Sequence, residues 1–196
     1  MIVRRYASAV IEAKRVPPLN AANAFTLLRV ALVPVFAWLL VIRRPSLPVV
    51  AAIVFVVAAA TDGVDGFLAR RWKLESSFGA FLDPLADKLL VGTALMPLAA
   101  DHRIAWAAVI VILVREFVIG IGLRLALRTR GRALPASRLA KVKTNAQLLA
   151  ILVATLLHKG SAVAAALVWL AVALTVVSGL QYLIRVKRGE VGERWQ

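Results

Sequence analysis

The chain has 196 residues, 61% of them hydrophobic, and carries 25 Lys and Arg against 10 Asp and Glu, a formal net charge of +15. An apolar fraction well above the roughly 45–50% of soluble domains excludes a water-soluble globule, and basic loops on so apolar a chain fit a bilayer protein, not a nucleic-acid binder. With no cysteine, disulfides and thiolate metal or redox chemistry are excluded, so any metal must be held by oxygen or imidazole.

Residues 1–23 form a juxtamembrane segment. Ile2, Val3, Tyr6, Ala7, Val10 and Ile11 recur at helical spacing, with Arg4, Arg5, Ser8 and Glu12 on the other side. This predicts an amphipathic helix lying on the membrane surface, cut short by Pro17 and Pro18. No uninterrupted apolar core precedes a cleavage site, so the segment is expected to stay attached. Six apolar stretches follow, at Ala24–Ile42, Leu47–Leu68, Phe78–Ala100, Ile104–Leu123, Val142–Leu157 and Ser161–Ile184. Each approaches the roughly 20 helical residues that cross a hydrocarbon core. The expected fold is an all-α integral membrane protein: six transmembrane helices in one domain over 24–184, an N-terminal interfacial helix, and a basic tail over 185–196.

Charge sets the expected topology. Arg4, Arg5, Lys14, Arg15, Arg70, Arg71, Lys73, the Arg124–Lys143 cluster, Arg185, Lys187, Arg188 and Arg194 fall on one side, against Arg43, Arg44, Arg103 and Lys159 on the other. Because positive loops stay inside, both termini and the two long loops are expected to face the cytosol of a cell membrane. Arg29, near the start of the first span, is expected to snorkel towards that interface. His102 and His158 fall in the opposite turns and are poor catalytic candidates.

Four of the ten acids, Asp62, Asp65, Asp83 and Asp87, crowd the end of the second span and the start of the third. Ionisable groups in spans cost a few kcal/mol on insertion scales, which makes them functional candidates. Spacings of three and four place each pair on one helical face. Four converging carboxylates would repel and take up protons unless cations bind. Oxygen-only ligation selects Mg²⁺ or Mn²⁺, and two such ions can share four carboxylates. Two other readings stand beside this one: Asp83 as a helix N-cap ahead of Pro84, and Asp62 and Asp65 as ion-pair partners of Arg70, Arg71 or Lys88. Gly63, Gly66 and Gly79 admit either a nucleotide close to the backbone or close helix packing.

Read as one string, Asp62-x2-Asp65-Gly66-x2-Ala69-Arg70-x8-Gly79-x3-Asp83-x3-Asp87 resembles the signature of the CDP-alcohol phosphotransferase family at each of its eight defined positions. The resemblance implies a six-helix membrane enzyme, a homodimer, that transfers a substituted phosphate from a CDP-alcohol to a second alcohol with divalent metal and releases CMP. It implies that Asp62, Asp65, Asp83 and Asp87 ligate metal, that Asp87 is also the general base, and that Asp62, Gly66, Ala69, Arg70 and Gly79 border the CDP moiety.

Further strings, Asn23-Ala-Phe-Thr26-Leu-Leu-Arg29, Arg115-Glu116, Lys141-Val-Lys143-Thr144 and Leu180-Gln181-Tyr182-Leu183, look like the bacterial branch of the family that joins sn-glycerol 3-phosphate to the phosphatidyl group of CDP-diacylglycerol. Arg115, Arg124, Lys141 and Lys143 are then the candidates to bind the acceptor phosphate. The Arg124–Lys143 cluster also reads as a topology anchor touching anionic membrane lipids. Family members that form cardiolipin or phosphatidylinositol phosphate are the nearest rivals. A cation transporter is a distant one, since its carboxylates would be spread across membrane depth and not gathered at one level.

Overall fold

The computed structural model describes residues 21–42, 47–72, 77–123, 127, 132–133, 138–189 and 192–193, and among them the side chains of 24–42, 47–61, 86–123, 127 and 139–189. Six α-helices run through these residues: α1 Ala21–Ile42, α2 Leu47–Trp72, α3 Ser77–Ala100, α4 Trp106–Arg115, α5 Arg138–Leu156 and α6 Ala162–Lys187. α4 passes without a break into a π-helical segment, Glu116–Leu123. A two-residue antiparallel pair, β1 Arg132–Ala133 with β2 Gly192–Glu193, ties the long connection before α5 to the C-terminal tail. Of the expected juxtamembrane segment over residues 1–23, residues 1–20 lie outside the described residues and 21–23 open α1.

Hydropathy and length carry the membrane reading. Ala24–Ile42, Trp106–Leu123, Leu139–Leu156 and Ala162–Lys187 are long and apolar enough to cross a bilayer, and Leu47–Thr61 is a shorter apolar helix. Their outward faces are apolar too: Trp38, Val41, Val49, Ile53, Ile110, Val118, Val163 and Leu170 are all more than half exposed. Apolar surface spread over several helices is tolerable against lipid and ruinous in water. The chain is a multi-pass, helical membrane protein.

Inside, small residues replace bulk. Ala51, Ala58, Ala94, Ala99, Ala108, Ala150, Ala154 and Ala171 are buried in the core, and without long side chains between them the helix backbones approach closely, which drives helix association where water supplies no hydrophobic force. α1 packs chiefly on α2 and α3, and α5 on α6. Phe36 of α1 and Phe55 of α2 fill the first interface, their rings tilted at a centroid distance of 5.1 Å.

Two differences from the sequence expectation matter for the site. α2 extends to Trp72, beyond the expected Leu68, so the backbone of Asp62, Asp65, Gly66, Ala69 and Arg70 is helical throughout. α3 begins at Ser77, so Asp83 lies inside a helix; the reading of Asp83 as an N-cap ahead of Pro84 is wrong.

The end of the bundle holding the α3–α4 and α5–α6 turns is closed by a charged clasp. Arg103 donates through Nη1 to the carbonyls of Ala154, Thr155 and Leu157 at 3.3, 3.0 and 2.7 Å, which satisfies the orphan acceptors at the end of α5. Its Nε donates to Asp101 Oδ2 at 2.9 Å, and Lys159 Nζ lies 2.8 Å from Asp101 Oδ1. His102 turns the chain there with a left-handed φ of 56°.

Candidate active site

At the other end, four elements converge on one acid. Glu116, the first residue of the π-helical segment, is 2% exposed. Its Oε2 forms an ion pair with Lys88 Nζ of α3 at 2.7 Å. Its Oε1 accepts from Arg115 Nη1 at 3.1 Å and from Lys143 Nζ of α5. Arg115 also donates through Nη2 to Ser178 Oγ of α6 at 2.9 Å, and its buried Nε has no acceptor among the described residues. A lone carboxylate at this depth would be prohibitive; three surrounding cations make it tolerable and leave positive charge in excess.

Asp87, one residue before Lys88, stands beside this cluster with its side chain 38% exposed. Its Oδ1 accepts from Arg29 Nη1 at 2.9 Å. Arg29 Nε donates to Thr61 Oγ1 at 3.4 Å, and the Thr61 hydroxyl donates to the Ala58 carbonyl at 2.6 Å. Arg29 is fully buried, so it does not snorkel to the interface as expected. The ion pair with Asp87 supplies inside the bundle what water would supply outside it, and holds the carboxylate against α1 and α2.

A polar cavity of about 390 Å³ opens between α3, the π-helical segment and the start of α5. Asp87, Lys88, Arg115, Glu116, Lys141 and Lys143 supply its charged wall. Among the described residues four cations face two carboxylates, an excess of two positive charges. The first turn of α5, where Ala140 and Lys141 line the cavity, adds the partial positive charge of a helix N-terminus.

The residues expected to bind the acceptor are therefore brought together in part: Arg115, Lys141 and Lys143 share one cavity with Asp87, and Arg124 lies outside the described residues. Asp62, Asp65, Gly66, Ala69 and Arg70 fall on α2, and Gly79 and Asp83 on α3, with side chains outside the described residues. Among the described residues no group of three or more His, Asp or Glu side chains could hold a metal ion. The one described member of the expected ligand set, Asp87, is a hard oxygen donor open to a polar cavity, which suits Mg²⁺ or Mn²⁺.

Sequence reading gave Lys88 no place in this cavity and left Gly120 and Ser178 without a role. Lys88 carried a usable signal, a basic residue inside an apolar helix, but was assigned only as a partner for Asp62 or Asp65; its described partner is Glu116. Gly120 and Ser178 carried none, because their importance rests on what approaches them from other helices.

The sequence profile described as CDP-alcohol phosphatidyltransferase matches residues 19–177. A Bacillus subtilis (strain 168) protein named CDP-diacylglycerol–glycerol-3-phosphate 3-phosphatidyltransferase is 43% identical over 182 residues, covering 83% of this chain and 93% of that protein. A Rickettsia bellii protein of the same name is 37% identical over 175 residues, 86% of this chain and 96% of its own. A probable phosphatidylglycerophosphate synthase of Mycobacterium tuberculosis (strain H37Rv) is 41% identical over 180 residues, 89% and 85% of the two chains. With the profile spanning most of the sequence and these relatives aligned over nearly all of their length, the chain belongs to the CDP-alcohol phosphatidyltransferase family.

Proposed function

We propose that the protein transfers the phosphatidyl group of CDP-diacylglycerol to sn-glycerol 3-phosphate, giving phosphatidylglycerophosphate and CMP. The observation that carries this reading is the basic cavity beside Asp87, whose lining among the described residues carries two surplus positive charges that suit a phosphomonoester dianion. The names of the relatives point to the same donor and acceptor.

In this reading Arg115, Lys141, Lys143 and Arg124 bind the acceptor phosphate, and Asp87, at the cavity wall, takes the proton of the attacking hydroxyl. That oxygen forms a bond to the phosphorus bearing diacylglycerol as the bond to the CMP oxygen breaks. Asp62, Gly66, Ala69, Arg70 and Gly79 border the CDP moiety. Asp62, Asp65, Asp83 and Asp87 would hold two divalent ions, which when bound neutralise pyrophosphate oxygens and the departing CMP. Arg29 holds and aims Asp87 through its charge-assisted hydrogen bond.

The same reading takes α1 to α6 as six spans of one domain over 24–184, in a homodimer within the cell membrane. The active site and both termini face the cytosol, which is where the basic segments belong. Acyl chains of the donor then stay in the bilayer while its headgroup enters sideways between helices.

The test is an assay of the purified protein in detergent with CDP-diacylglycerol, Mg²⁺ or Mn²⁺, and a panel of alcohols. CMP release is expected with glycerol 3-phosphate alone and is expected to stop when a chelator removes the divalent ions. Release with phosphatidylglycerol or an inositol phosphate instead would replace the acceptor; release in the presence of chelator would remove the metals from the mechanism.

A further inference from the structure

We infer that Glu116 is a positioning residue for acceptor selection: it anchors Lys88, Arg115 and Lys143 as one array whose remaining charge recognises a phosphate dianion, without itself touching substrate. The inference rests on the proposed phosphate-bearing acceptor and adds the device that makes the cavity selective. Lys88 comes from α3, Arg115 from the end of α4, and Lys143 from α5, so no single element fixes their spacing. Flexible lysine stems carry considerable rotamer freedom, and crowded like charges splay apart unless an anion lies between them. Glu116 supplies that anion to all three. Ordering the cations before substrate arrives removes an entropic penalty from binding.

Two glycines show that the array has little spare room. A Cβ at position 120 would lie 3.3 Å from Glu116 Oε2 and 3.4 Å from Lys88 Cε, and one at position 179 would lie 3.2 Å from Ile119 Cδ1 and 3.4 Å from Arg115 Cγ. The absent side chains let the ion-paired groups pass close to two backbones. Arg115 is held from its far side as well, by Ser178.

The experiment compares wild type, Glu116→Gln and Glu116→Asp in detergent, reading KM for glycerol 3-phosphate, KM for CDP-diacylglycerol, kcat, and the affinity of inorganic phosphate by thermal shift. Glu116→Gln is expected to raise the acceptor KM and weaken phosphate binding by about tenfold or more, the loss typical of a charged hydrogen-bonding partner. KM for CDP-diacylglycerol should move by less than about twofold, and Glu116→Asp should recover part of the loss. A uniform change in both KM values, or an unchanged acceptor KM, would overturn the inference. If wild type refuses glycerol 3-phosphate, the acceptor reading fails on its own, and the phosphate arm decides this inference: equal affinity in wild type and Glu116→Gln overturns it. Should Glu116→Gln not fold, Gly120→Ala crowds the same ion pair, with the same split expected at about threefold; an unmoved acceptor KM there counts against the inference equally.

Discussion

Each end of this helical bundle buries a carboxylate among cations and encloses a cavity of about 390 Å³, yet the two are put to different use. At the α3–α4 turn, Asp101 is matched by Arg103 and Lys159, and the Arg103 guanidinium is committed to three carbonyls at the end of α5. Its charge closes a helix terminus. At the other end, among the described residues, Lys88, Arg115 and Lys143 share the carboxylate of Glu116, Lys141 adds a fourth cation to the same cavity, and Asp87 is already held by Arg29. Saturated cations build structure, whereas surplus ones facing a polar cavity can bind an anion.

Matched substitutions at the two ends test that contrast. The largest effect is expected from Asp87→Asn, which should lower kcat by about 10²–10⁴-fold if the carboxylate is the general base, while Asp101→Asn leaves kcat within about twofold; CMP release measures both. Next, Lys143→Met should raise KM for glycerol 3-phosphate about tenfold or more. Lys159→Met, which removes a half-exposed ion pair, should change neither KM nor stability measurably. Equal responses of the two lysines would erase the distinction between the ends. Arg103→Met should cost about 1.5–3 kcal/mol of stability in a detergent unfolding titration and leave the kinetic constants alone. The smallest change is expected from Gly179→Ala: its new methyl group crowds Arg115 Cγ and Ile119 Cδ1, and the acceptor KM should rise about threefold.

Legibility in the sequence followed physical rank. Apolar runs showed the helices because a hydrocarbon core demands about 20 residues of low polarity, and the six predicted C-terminal ends fall within about four residues of the helical ends, Ile42, Ala100 and Leu123 without any shift. What was not legible is that the fourth stretch changes at Glu116 from α-helix to wider π turns; periodicity over so short a stretch does not separate the two. Asp87 stood out because charge in an apolar span is costly and therefore conspicuous, and Arg115, Lys141 and Lys143 were singled out through the family resemblance.

Pairing was not legible. From sequence Arg29 looked like a snorkelling cation, and nothing in it showed what Glu116 meets; in the fold Glu116 gathers cations from three elements and Arg29 turns inward to Asp87. The sequence alone determined which residues enter the membrane, where the charge accumulates and which family motif spans α2 and α3, since each depends on residue type and spacing along one chain. Which charges neutralise each other, and which are left over to meet a ligand, was decided by tertiary structure. Ion pairing acts over a few ångströms in space, and two of the three described partners of Glu116, Lys88 and Lys143, lie 28 residues before it and 27 residues after it.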